Sequence, residues 1–203
     1  TLLLALAALC WLAPLSVSAK PRAHSKPHAS TQKPDSIPPG LLIAPGHAVG
    51  LTPLGPHGAD ALAKLPPPDM SDVGMSQQRL VWVSKTAPRQ TLYLHTVANG
   101  AIDAKPTNGA TIDEIRVTSP WFRIADCISS GSSLAAIRKH FPHIRPTGEG
   151  GKIYDDLRAG VAFEFAAKPD AKSQCIAIIV HPTGESRIEG ADVVRNIIKG
   201  GRG

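Results

Sequence analysis

Two adjacent carboxylate pairs, Asp113-Glu114 and Asp155-Asp156, and eight histidines have the side-chain types that could run acid–base or hydrolytic chemistry. Such chemistry needs a carboxylate within hydrogen-bond reach of a histidine or of a second acid. Both pairs lie on segments with strand character, where neighbouring side chains point to opposite faces, so neither pair is a dyad by itself. A hydrolase built here would have to bring Asp155 or Asp156 to a histidine across the sheet. His140-x-x-His143 has a metal-like spacing, but Pro142 interrupts the helix that would align the two rings. A zinc site takes three or four ligands, and nothing in the spacing supplies the rest. His24 and His28 stand alone in a polar segment, as do His95 on a strand and His181 before Pro182. Gly131-Ser132-Ser133 opens a helix, where serines serve as caps, and the nucleophile pattern Gly-x-Ser-x-Gly is absent. Gly148-Glu149-Gly150-Gly151 lacks the Lys-Ser/Thr ending of a phosphate loop. No metal, cofactor or catalytic residue is expected.

Contact chemistry has better material. Trp121-Phe122-Arg123 follows Ser119-Pro120 at the middle of the chain, and Trp and Arg are enriched at the centres of interfaces. Aromatic residues make up only 4% of the chain, so core use competes for each of them. Trp82, Tyr93, Trp121, Arg123 and Tyr154 are the candidate contact residues. Cys127 and Cys175 are an even pair once the leader is removed, and exported proteins favour disulfides. Joining them would stabilise by roughly 4 kcal/mol on the chain-entropy account; two buried thiols are the alternative.

The elements that position these residues follow from periodicity. Leu2 to Leu15 is nearly all apolar, and small residues at Val17-Ser18-Ala19 precede Lys20, the pattern of a secretory signal peptide over 1–19. It is too short to span a bilayer, and Leu9 before Cys10 argues against a lipid anchor. Residues 20–40, rich in Pro, Ser, His and Lys, form a disordered basic linker. Beyond it the chain says a similar thing twice. A short helix over Ala59–Leu65 ends at Pro66, and strands follow at Leu80–Val83, Thr91–Val97 and Ile112–Thr118. A second helix, Leu134–Phe141, capped by Ser132 or Ser133, ends at Pro142. Strands follow at Ile153–Leu157, Val161–Phe165 and Cys175–Val180. Asn99-Gly100 and Asn108-Gly109 mark turns. The predicted fold is α+β: two αβββ repeats, 41–120 and 121–186, in one mostly antiparallel sheet with helices on one face. A C-terminal tail, 187–203, carries a possible short helix with Val194, Ile197 and Ile198 at helical spacing.

This tandem pattern, best seen at Cys127-Ile128-Ser129-Ser130-Gly131-Ser132-Ser133-Leu134-Ala135-Ala136-Ile137, resembles the beta-lactamase-inhibitory-protein-like architecture. It is also similar to the small lipoproteins of the outer-membrane assembly machinery. The resemblance implies a protein that binds other proteins through a concave sheet face, without catalysis.

Charge points the same way. Residues 20–40 hold Lys20, Arg22, Lys26 and Lys33 against Asp35, and 187–203 hold four basic residues against two acids. Most of the formal +6 therefore lies in the tails, and the middle is close to neutral. Nucleic-acid binding by the fold would need Lys and Arg clustered on one face, so no nucleic-acid partner and no membrane span are expected. The expected product is an exported, periplasmic or secreted protein that recognises another envelope or secreted macromolecule. A small-ligand module is the second reading and a hydrolase on the strand carboxylates the third; the oligomeric state is not set by the sequence.

Overall fold

The structure, a computed structural model, describes residues 37–98, 110–125, 128–186, 188–189 and 191–200. The apolar leader, most of the linker, both Asn-Gly turns and Cys127 lie outside these residues. The described residues belong to one compact unit, Ser36–Gly203.

A 3-10 turn at Pro39–Leu41 leads into three short strands, β1 (Leu42–Ala44), β2 (Ala48–Val49) and β3 (Thr52–Pro53), then helix α1 (Gly58–Leu62). Four strands follow: β4 (Met70–Gly74), β5 (Gln77–Val83), β6 (Thr91–Ala98) and β7 (Ala110–Val117). A two-residue strand β8 (Arg123–Ile124) leads to α2 (Leu134–His140), and four more strands come after it. These are β9 (Arg145–Thr147), β10 (Ile153–Asp156), β11 (Val161–Phe165) and β12 (Cys175–Val180), with α3 (Ala191–Gly200) at the end.

Eight strands make one antiparallel sheet in the order β4-β5-β6-β7-β12-β11-β10-β9, and β3-β2-β1-β8 make a second, smaller one. The α+β class and the mostly antiparallel sheet agree with the sequence pattern. Two details differ. Helices α1 and α2 are each followed by four strands of the large sheet, because β4 and β9 add an outer strand on either side. The tail helix α3 also lies on the face opposite to α1 and α2. Leu62 of α1 and Leu134 and Ile137 of α2 join Leu80, Leu94, Ile115, Phe163, Ile178 and Val180 in the main core. Val194, Ile197 and Ile198 of α3 pack instead on Val81 and Tyr93, the alternate residues of β5 and β6, and so on the opposite face. The small sheet adds Ile43, Val49 and Ile124 to the main core.

Local chemistry sets these boundaries. Ser133 caps α2, its hydroxyl accepting from the Ala136 amide at 3.2 Å. The sheet centre is sealed on both faces: all five residues of β11 are buried. Each large apolar side chain removed from water there contributes about 1.5–3 kcal/mol.

The two four-strand meanders meet at β7 and β12, where Arg116 lies opposite Ile179, flanked by Val117 opposite Ile178 and Ile115 opposite Val180. Moving outward, Leu92 opposite Val117 is matched by Val161 opposite Val180, and Leu94 opposite Ile115 by Phe163 opposite Ile178.

Candidate functional site

Three regions gather polar or aromatic side chains, and the geometry separates structural from presentable ones.

The first is an open cleft at one end of the sheet. The proline run after α1 puts Pro66 and Pro67 on one wall, and the Pro66 carbonyl accepts the Trp82 indole N–H at 2.8 Å. Asp69 accepts the Val83 amide at 2.7 Å, which binds this corner to the last residues of β5. Pro66, Trp82, Lys85, Gln90, Leu92 and Phe122 help line a cavity of about 590 Å³. A neighbouring cavity of about 480 Å³ shares Asp69, Ser84, Lys85 and Thr91 and reaches Arg89 and Ile198. The 84–90 loop between them is held by Ser84, whose hydroxyl donates to the Thr86 carbonyl and accepts from the Gln90 amide. Trp121 lies next to Phe122 in the chain and is 63% exposed.

The candidate contact residues divide accordingly. Trp82 and Phe122 are partly buried, each with one side on the main core. Trp121 and Arg123 are exposed, so core use holds for Phe122 but not for Trp121. Tyr93 is fully buried beneath α3. Tyr154 is buried on the opposite face, edge-on to Phe165 with the Arg138 guanidinium 5.4 Å from its ring centre. Neither tyrosine is presented to a partner.

The second region is a buried polar network on the outer face. The β6–β7 register shifts between His95 and Thr96, leaving Asp113 as an extra residue beside Glu114. A bulge places two residues of one strand opposite one of the other, so both acids reach the same network, contrary to strand alternation. Asp113 bonds His95 Nδ1 at 2.5 Å, and Glu114 accepts the Glu189 amide at 2.8 Å. Glu189 in turn accepts from Arg79 at 3.0 Å and from the Tyr93 hydroxyl. Arg116 and Glu164, both buried, pair at 2.8 Å. Burial pushes the Glu114 carboxyl well above the usual carboxylate range, and the neighbouring Glu189 charge adds to it. Burial acts on Glu189 in the same sense, but the bonds from Arg79 and Tyr93 outweigh it and hold this carboxyl below its ordinary value. Burial and the bond to Glu189 raise the Tyr93 phenol.

The third region surrounds Asp155, which bonds His181 Nε2 at 2.9 Å and accepts the Ser186 hydroxyl at 3.2 Å. The carboxylate–histidine meeting that a hydrolase would require thus does occur, at two places, yet His181 has no exposed surface and its Nδ1 donates to the Pro182 carbonyl. Burial opposes charge on this imidazole, but the bonds to Asp155 and Pro182 outweigh it and raise its pKa. Asp156 points the other way and accepts the Arg158 and Ala159 amides of the following turn. Cys175 is a buried thiol donating to the Ser129 carbonyl, and burial pushes it up to about 11. The other half of the candidate disulfide, Cys127, lies outside the described residues. Among the described residues no group of three or more His, Cys, Asp or Glu could hold a metal, and no helix is long and apolar enough to cross a membrane.

The tertiary pairs His95–Asp113 and Asp155–His181 had no signal in spacing. Glu189, which ties three strands together, lies in a segment read only as a tail.

No protein-family model matches the chain, and no curated protein matches it. Among solved structures it is similar to the uncharacterized protein yfeY from Escherichia coli, at 14% identity. That likeness covers 70% of this chain and 98% of the other, with a TM-score of 0.34.

Proposed function

We propose that this is an exported, non-catalytic protein that recognises another envelope or secreted macromolecule, using the Trp82–Phe122 cleft and the adjoining Trp121. The observation that carries the reading is Trp121, 63% exposed in a chain with few aromatics, next to a cleft walled by Pro66, Trp82 and Phe122. An exposed indole beside a half-buried one resembles an interface anchor more than solvated surface. Lys85 and Asp69 at the rim supply charges of both signs for orientation. The carboxylate–histidine contact a hydrolase would use is sealed from substrate, since His181 beside Asp155 has no exposed surface, and Asp156 bonds its own turn. The leader pattern supports export. The matched registers on either side of β7 and β12 support the finer reading of the fold as two related halves, each a helix followed by four strands.

The second reading, a small-ligand module, is favoured by one number: about 590 Å³ lies within the range of ligand pockets. A photo-crosslinking residue at position 121 separates the two. One exported protein crosslinked in cells, and lost on Lys85→Glu with the melting temperature unchanged, supports recognition. A small molecule that raises the melting temperature only when Trp82 is intact, with no crosslinked protein, replaces it with the ligand reading.

A further inference from the structure

At the far edge of the sheet from the Trp82 cleft, β9, the end of β10 and the segment after β12 enclose a cavity of about 480 Å³. Its lining contains two arginines, Arg145 and Arg158, and His143. Two carboxylates lie in the same wall, so ordinary ion pairs would be expected to neutralise the arginines. They do not. Arg145 stands directly opposite Asp155 in the β9–β10 register, but the Asp155 oxygens bond His181 and Ser186 and make no ion pair with Arg145. Asp156 spends its Oδ1 on the amides of Arg158 and Ala159, the backbone of the very residue whose guanidinium it might have paired. Arg145 donates only to the carbonyl of Ile144, and among the described residues neither guanidinium has a carboxylate within salt-bridge distance.

We infer that this cavity binds a phosphate group, held by Arg145 and Arg158 with His143 at the rim. Guanidinium forks offer paired N–H donors that fit phosphate oxygens bidentately, and both arginines are exposed whereas Asp155 and Asp156 are buried, so the donors face the open side of the cavity. The space is large enough for a phosphorylated small molecule, and its open side admits a lipid headgroup equally. Free phosphate compounds and phospholipid headgroups share this chemistry. The inference does not depend on partner recognition at Trp82, because the two sites occupy opposite edges of the sheet.

The test is amide chemical-shift titration of the whole chain with inorganic phosphate, at ionic strength held constant with sodium chloride. Saturable shifts at residues 143–147 and 155–158 are expected. They should weaken by roughly tenfold or more in Arg145→Gln and in Arg158→Gln, as removal of one bidentate contact predicts. Both residues are exposed, so these variants should melt like the parent. Trp121→Ala should leave the titration unchanged. Co-sedimentation with phosphatidylglycerol but not phosphatidylcholine vesicles, lost in the same variants, assigns the source to a lipid headgroup; phosphate binding without co-sedimentation assigns it to a soluble compound. Shifts that never saturate, that sodium chloride reproduces, or that survive in the Arg145→Gln/Arg158→Gln double variant overturn the inference.

Discussion

At the scale of residues, Gly160 shows how tightly the chain is threaded near Asp155. It sits at φ +70, and a Cβ there would lie 2.5 Å from the His181 carbonyl oxygen and 2.6 Å from the Gly46 Cα. Both neighbours are backbone and cannot rotate away. Gly184 has a similar φ of +82 but nothing within 4 Å. Gly184→Ala should therefore carry only the left-handed cost of about 1–2 kcal/mol. Gly160→Ala should exceed it, because His181 must shift as well, and urea denaturation of the two variants reads the difference directly. Equal losses would mean that the contact with Gly46 and His181 yields easily. The buried Arg116–Glu164 pair makes a second case. Glu164→Leu removes the carboxylate bonded to a buried guanidinium and should cost about 3–5 kcal/mol, while Arg116→Met/Glu164→Leu together should recover most of it. Little of this was legible in the sequence. Strand alternation correctly separated Asp155 from Asp156, but it failed at Asp113 and Glu114, because a one-residue bulge opposite His95 has no marker in the acids themselves. Likewise, Asp155 and His181 are 26 residues apart, and only the ordering of β10, β11 and β12 brings them together.

At the scale of elements, the C-terminal segment acts as a strap across the outer face. Ser186 bonds Asp155, Glu189 bonds Arg79 and Tyr93, and α3 covers Val81 and Tyr93. Two of its titratable anchors favour the protonated form. His181 has a raised pKa, so the stability it adds is fully present below its ordinary value of 6.5 and is lost as pH rises through the folded value. Glu114 is raised too, so its contribution is likewise lost as pH climbs above the ordinary carboxylate range. Glu189 is lowered and works in the opposite sense, its contribution fading only in acid. The strap should therefore loosen as pH rises, first above the ordinary carboxylate range through Glu114 and then above 6.5 through His181. Amide exchange in residues 191–198, corrected for its intrinsic pH dependence, should show falling protection, and Glu114→Gln should flatten part of the trend. A trend identical in the variant would remove Glu114 from the account. The helical spacing of Val194, Ile197 and Ile198 was visible in the sequence, but its docking face was not, since an apolar stripe does not name its partner. β4 and β9 escaped notice for a related reason. They are edge strands; four of the five β4 residues are exposed and β9 carries Pro146, so neither alternates in hydrophobicity.

At the scale of the whole molecule, the two halves are joined by pairing and by a shared core. Cut between them, β7 and β12 would each become a bare edge with an apolar face, which explains why two meanders share one sheet. The main core mixes Leu80, Leu94 and Ile115 of the first half with Ile137, Phe163 and Ile178 of the second. A boundary near residue 120 is therefore a boundary in the chain pattern and not in the packing. That difference could not be read from periodicity, which reports where apolar residues fall along the chain but not which of them meet. If packing governs, the described unit unfolds in one step. Ile115→Ala and Ile178→Ala sit in opposite halves, and each should cost about 2–5 kcal/mol. Each should also move a single transition, with the same midpoint from tryptophan fluorescence and from far-ultraviolet circular dichroism. Two midpoints, with Ile115→Ala moving one and Ile178→Ala the other, would mean that the halves fold separately and that the β7–β12 seam is an interface between domains. The register at the seam argues for the single transition. Arg116 opposite Ile179 is sealed from water on both sides, and Ile115 and Ile178 flank it on the core face, so neither half can open without exposing the other's buried strand.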